Sequence, residues 1–549
     1  MESDNTAWLG IIRLRGSDSH VESRLSVSFP GRSVSMPGAE WMFPVPDSKK
    51  NRPMRDIAGI TIAVFLTACA MQGRSVCADE FVYADEDGRM QTVEAKLYAS
   101  GQGLLALELA DGSLQLVPQG VVRKRTPGVD PKPITPRQML DTLRDEFGKE
   151  QFRGVISGQY VIGVVLQAPL PKTSERRVGT ALRRSARYMQ SIERMFQTFV
   201  RSMDVEPQQS KFPMVVLIFE TDDDFEEYTA KTTGNGGLSA GNIAGFYSHL
   251  SNYLYVRMSE CYTFATPLHE AIHQQCFNTG VFQRLAAIPV WFAEGMASGF
   301  EGSGERVRSS PQKLNVEYAR LIANGDLPRG PGWEDVAASD QIYRGDIFAG
   351  PAYVHGWSMH WLLVSRYPKE YAQFLQYTQS LQPLEAVSDR TRQEQYKALL
   401  GKAPAEFQRE FPAAFERAIK RQKLPPRIET PPGLVQRHSN LAGVDIFAES
   451  NGRVMQVQGK LRNISPIREM SYYITVITDT GNIADWYIPR LRVNQLIPLK
   501  PQATRRLPGS AGGPGRAFQV RVKSTPSDSG EAKAWAGGRL PTVSIQRRD

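Results

Sequence analysis

The chain has 549 residues, 41% hydrophobic and 22% charged, with a formal net charge of +9. That is ordinary globular composition, long enough for several domains and with ample material for a core, so it excludes a chain disordered throughout. The positive charge is spread along the sequence without a nucleic-acid-binding motif; no nucleic acid is expected as a partner, whereas anionic polymers of a cell envelope are compatible with it.

Residues 1–53 are polar, rich in Ser, Gly and Pro, and aperiodic; they read as disordered or as an upstream extension, with the biological start at Met54. Residues 54–78 read as a signal peptide. A basic start (Lys49, Lys50, Arg52, Arg55) precedes the apolar run IAGITIAVFLTACA, which is too short to span a bilayer. Two processing routes fit. Leu66-Thr67-Ala68-Cys69 resembles a bacterial lipobox, which would place a lipid on Cys69 and anchor the protein to a membrane. Val76-Cys77-Ala78 fits small-residue cleavage before Asp79. Either route exports the protein to the periplasm, the cell envelope or the extracellular space.

Residues 79–126 alternate apolar and polar positions, with turn signals at Asp87-Gly88 and Asp111-Gly112, and predict a small antiparallel β module suited to envelope protein contacts. Residues 127–150, opening on a Pro-rich stretch, read as a linker. From residue 151 a larger unit begins, with a strand at YVIGVV and another at PMVVLIFE (213–220). Between them residues 178–203 predict an amphipathic helix. Leu182, Met189, Ile192, Phe196, Phe199 and Met203 recur on one face, while Arg183, Arg187, Arg194 and Arg201 line another that reads as solvated. DDDFEEYTA predicts a further helix, TTGNGGLSAGNIAG a flexible rim, and GFYSHLSNYLYVRM a hairpin.

The chemistry concentrates in TPLHEAIHQQCFNTG, which predicts a helix with Thr266 as cap, Pro267 in the first turn and Asn278-Thr279-Gly280 as the stop. His269 and His273 stand four residues apart, about 40° apart round a helix, so both imidazoles reach one metal. Glu270 lies one step round, where its carboxylate approaches a metal-bound water as general base. Catalytic zinc takes a third protein ligand, and Glu294 in VWFAEGMA is the candidate. Cys276 lies on this helix three residues after His273 and Cys261 in the loop entering it; the two are candidates for a disulfide, or equally for two reduced thiols.

His269-Glu270-Ala271-Ile272-His273 followed by Trp291-Phe292-Ala293-Glu294-Gly295-Met296-Ala297 resembles the gluzincins, HExxH zinc metallopeptidases whose third ligand is a glutamate on a second helix. Ala297 lies on the face of Glu294 and leaves room for the first helix to pack close. The wider arrangement is similar to a bacterial domain-of-unknown-function family of exported peptidase-like proteins, over about residues 150 to 420. The resemblance implies Zn2+ as cofactor, a peptide or protein substrate, and pairing of an extended substrate with a sheet edge beside the site.

Downstream, EYARLIANG, PAYVHGWSMHWLLVSRY, EAVSDRTRQEQYKALLG and APAEFQREFPAAFERAIKRQ predict helices. Peptide hydrolysis needs a donor to the oxyanion of the tetrahedral intermediate, and Tyr353 or His355 could supply it. His249 and His360 are weaker candidates. Residues 430–549 change to strand periodicity and predict a β-sandwich. The expected fold class is α+β: a gluzincin-like metallopeptidase domain at 151–424 between a small N-terminal β module and a C-terminal β-sandwich. The other functional class compatible with these residues is a noncatalytic envelope interaction protein with a structural zinc site.

Overall fold

The computed structural model describes residues 79–541 apart from residue 86 and segments 234–243, 263–264, 302–309, 328–329, 344–348, 425–433, 451–454 and 507–516. The signal segment with Cys69, and most of the glycine-rich rim, therefore lie outside the described residues. The fold is mixed α+β, with a small β module first and two packed sheets last.

The N-terminal module is one antiparallel sheet: β1 (Asp79–Ala84), β2 (Met90–Gly101), β3 (Leu104–Glu108), β4 (Leu114–Pro118) and β5 (Val122–Thr126), in the order β4-β3-β2-β1-β5. Gly88 and Gly112 have φ of +77° and +86° in the two anticipated turns, a backbone region open to glycine. Phe81, Tyr83, Ala95, Leu107 and Val117 form the module's core. Its other side is not free. Ala106 and Leu114 pack on Leu285, and Glu108 is held by Arg284 at 3.3 Å and Lys211 at 2.8 Å.

Part of the expected linker is a helix, α1 (Pro136–Phe147), which buries Met139, Leu140 and Leu143. Thr135 accepts from the Gln138 amide while Gln138 Oε1 accepts from the Thr135 amide, and Pro136 opens the first turn, so a capping box starts the helix directly after the Pro-rich stretch.

The central sheet runs β6-β7-β8-β10-β9, formed by Phe152–Ser157, Tyr160–Val165, Met214–Phe219, Tyr253–Arg257 and Gly245–Tyr247. β7, β8 and β10 are parallel neighbours, and every residue of each is buried, which is why their sequences are apolar runs rather than alternations. The crossover helices are α2 (Lys172–Arg201) and α3 (Asp222–Thr233). β9 ends the sheet, and α4 (Ala265–Asn278) packs against β9 and β10. Then follow α5 (Val290–Phe300), α6 (Val316–Asn324), α7 (Trp333–Ala338), α8 (Ala349–Arg366), α9 (Pro368–Ser380), α10 (Asp389–Leu400) and α11 (Pro404–Gln422). α7 and α9 are additions to the sequence reading. α5 and α8 pack closely through glycine: a Cβ on Gly295 would stand 2.5 Å from the Gly356 carbonyl oxygen.

The C-terminal sandwich comprises β11 (Leu434–Ser439), β12 (Ala442–Ser450), β13 (Met455–Asn463) and β16 (Leu496–Ala503) in one sheet. The other holds β14 (Met470–Thr478), β15 (Asn482–Leu491), β17 (Arg505–Arg506) and β18 (Phe518–Pro526). β14, central in its sheet, is buried along its whole length. A short α12 (Gly530–Ala536), absent from the sequence reading, seats Ala532 and Trp535. The sandwich is tied to the central unit by Arg468, whose Nη2 donates to Glu220 Oε2 at 3.0 Å and to the Ala168 carbonyl at 2.9 Å. Both charged partners are buried. The Gln167 amide also donates to Glu220, and the Asn440 amide to Asp222.

Candidate metal centre

α4 begins at Ala265, so Thr266 is inside the helix instead of capping it, and the helix ends before Gly280 at φ +74° as its sequence indicates. His269 and His273 lie one turn apart on it and face α5, where Glu294 projects between them. Each of the three is only 2% exposed. The ligand atoms cluster closely: His269 Nε2 to Glu294 Oε2 is 3.1 Å, His273 Nε2 to His269 Nε2 is 3.2 Å, and His273 Nε2 to the other Glu294 oxygen, Oε1, is 3.5 Å. Metal–ligand bonds of about 2.0–2.1 Å in a tetrahedron put neighbouring ligand atoms about 3.3–3.4 Å apart, and these contacts fall close to that spacing. The group could hold a metal ion.

A second carboxylate fixes the orientation of the first histidine. His269 Nδ1 is 2.8 Å from Glu301 Oε1, a contact that orients the ring with its Nε2 toward Glu294 and His273. Glu301 is itself held by Asn315, whose amide donates to Glu301 Oε2 at 2.9 Å and to the Ser298 carbonyl at 3.1 Å. The Asn315 oxygen accepts from the Glu317 and Tyr318 amides, capping α6. Neither residue was anticipated. Glu301 had a readable signal: it follows Glu294 by seven residues, two helical turns along one face.

The electrostatics follow from burial against pairing. Burial disfavours the His269 imidazolium, but its hydrogen bonds to Glu294 and Glu301 outweigh that and hold its pKa well above the usual value. Burial likewise works against the Glu294 carboxylate, yet the His273 charge and the bonds from both histidines bring it down to about 2. His273 is lowered, mainly by burial. Glu270 is pushed well above the carboxylate range by burial, an effect to which the Glu294 charge adds. Its Oε2 accepts the Tyr247 amide of edge strand β9 at 3.1 Å, which fixes the carboxylate beside the ligand cluster.

The two oxyanion candidates separate. Tyr353 is buried on α8, and the charges of Glu294 and Glu270 reinforce the effect of burial in raising its hydroxyl's pKa, so it shares the field of the centre. Its ring meets Tyr343 edge-on at 5.1 Å. His355 stands two residues on, about 200° round the helix, and is not brought to the centre: its Nδ1 accepts the Trp333 indole N–H at 3.2 Å. His249, in the turn after β9, lies over Phe277 with ring centroids 4.2 Å apart. His360 is buried against Phe199, Tyr371 and the Gly299 notch, a packing position.

The disulfide alternative is corrected: both thiols are free. Cys276 Sγ lies 3.5 Å from Met296 Sδ and Cys261 Sγ 3.7 Å from the Arg257 carbonyl.

A family model described as a protein of unknown function, DUF1570, matches residues 263–385. The matched stretch holds His269, Glu270, His273, Glu294, Glu301, Asn315 and Tyr353. It agrees with the bacterial unknown-function family expected from the sequence. No curated protein matches the chain.

Proposed function

We propose that this chain is an exported zinc metallopeptidase of gluzincin type, hydrolysing peptide bonds of a peptide or protein substrate. The observation that carries the reading is the ligand cluster: two imidazole nitrogens and one carboxylate, buried, each residue offering an atom within 4.8 Å of the others, close enough to share one ion. Two nitrogens and one oxygen with a carboxylate behind the first histidine is a donor set that zinc accepts well. Bound there, zinc acidifies water and polarises a carbonyl.

The chain's own groups supply the rest. Glu301 and Asn315 hold the His269 ring. Glu270, steered by the Tyr247 amide, takes the proton of the attacking water and returns it to the leaving nitrogen. β9 ends the sheet beside α4, so an extended substrate can pair with its outer edge. Tyr353 is the better placed of the two oxyanion donors. Export rests on the signal-like segment 54–78, with Cys69 as the site of a lipid anchor or Asp79 as a cleaved terminus.

The test separates ligand from base. Metal analysis should find one zinc per chain, lost in Glu294→Ala together with activity on a peptide library. Glu270→Gln should keep the zinc and lose on the order of a hundredfold or more in turnover. Full zinc with no cleavage by the wild-type protein would instead favour a structural metal in an interaction protein.

A further inference from the structure

The exposed face of α2 carries an unusual run. Arg176, Arg183, Arg187, Arg194 and Arg201 all lie on it, and the helical steps between them are filled by Thr180, Ser191 and Thr198. Each hydroxyl donates back to the carbonyl four residues earlier, at 2.9, 2.9 and 2.8 Å, so it stays low on the helix. Arg183 and Arg194 rest on Thr180 and Ser191, each 3.2 Å away. Among the described residues, Arg176 and Arg187 make no ion pair. Nearby carboxylates are engaged or turned: Glu175 bonds Arg153, Glu206 bonds Arg201 at the end of the row, and Glu193 is half-buried on the flank.

A solvated helix face gains from opposite charges at three- and four-residue steps, and like charges there cost a similar few tenths of a kcal/mol. This face does the reverse: Arg183 and Arg187 are four apart with no acid between them on the row. The row runs about 37 Å, one guanidinium wide, along a single helix whose apolar side is fully used against β6, β7 and α4. We propose that this stripe binds an extended, phosphate-bearing polyanion lying along α2. Guanidinium forks match phosphate oxygens. The narrow row suits a linear chain. It has no aromatic ring on which a nucleobase could stack, and no apolar side chain to enter a bilayer. The proposal does not depend on the peptidase reading.

Long-chain inorganic polyphosphate is the probe, titrated into the protein at several salt concentrations. Binding should weaken with salt, by about 0.7 log units in affinity per log unit of salt for each phosphate contact. Replacing Arg176, Arg183, Arg187 and Arg194 together by Gln should lower affinity at least tenfold and flatten that slope by about 3. All four are exposed, so thermal unfolding should be unchanged. The control replaces Arg409, Arg417, Arg421 and Lys423, exposed positions on and just after α11, with the same change in net charge and no loss of binding. Equal weakening in the control would reduce the effect to net charge and overturn the stripe. Absence of wild-type binding at low salt would overturn it too, as would tighter binding to phosphatidylglycerol-containing vesicles or single-stranded DNA than to polyphosphate.

Discussion

At the scale of single residues, the centre is a chain of dependence: Asn315 holds Glu301, Glu301 holds His269, and His269 with His273 and Glu294 frames a position that could hold a metal ion. Glu301→Gln keeps the shape and removes the charge, so zinc affinity measured by chelator competition should fall about 10- to 100-fold while the fold persists. Unchanged affinity would show that Glu301 only fills space. HExxH was legible because its geometry is contained in one helical turn, and Glu294 because a local aromatic-to-small pattern surrounds it. Glu301 was harder to see, since its role becomes visible only when Asn315 arrives from the next helix. His355 looked as plausible as Tyr353 in the sequence, where two residues of separation conceal that they lie on opposite faces.

At the scale of elements, α5 is positioned as much by α8 as by α4. Gly295 meets the Gly356 carbonyl and Gly299 receives the ring of His360. In Gly295→Ala the new methyl would stand 2.5 Å from backbone oxygen and 2.9 Å from His360 Cβ, so α5 and α8 must separate. Overpacking of this kind costs about 1–3 kcal/mol. Because Glu294 is the next residue, thermal stability and zinc affinity should fall together. A fall in stability alone would mean that α5 moves without carrying Glu294. Element boundaries were legible where a buried face repeats, as in α2 and β8. α1 hid behind prolines, and α9 begins at Pro368 directly after the predicted end of α8, with Tyr367 alone between the two helices.

At the scale of the whole molecule, three stretches with separate sequence signatures meet through buried polar contacts that no local pattern announces. Arg468 and Glu220 are 248 residues apart, Arg284 and Glu108 176. Burial raises the Glu220 carboxyl to about 7 even though Arg468 opposes it. Arg468→Met should therefore destabilise strongly at pH 8, by about 3–5 kcal/mol, because an ionised Glu220 is left buried without its partner. Its folded-state pKa lies above the unfolded value, so the fold takes up a proton as pH falls through about 7, and denaturant midpoints should show a smaller loss at pH 5. An equal loss at both pH values would mean that lost packing, not the stranded charge, sets the cost.

The docked modules also bear on portability. A gene segment coding for 151–424 would carry every candidate ligand of the centre, yet a shuffled copy would expose Leu285 without its cover and strand Arg284 and Glu220 without their charged partners. The centre is thus poorly suited to transfer by recombination into a foreign protein, and its flanks would have to be inherited with it.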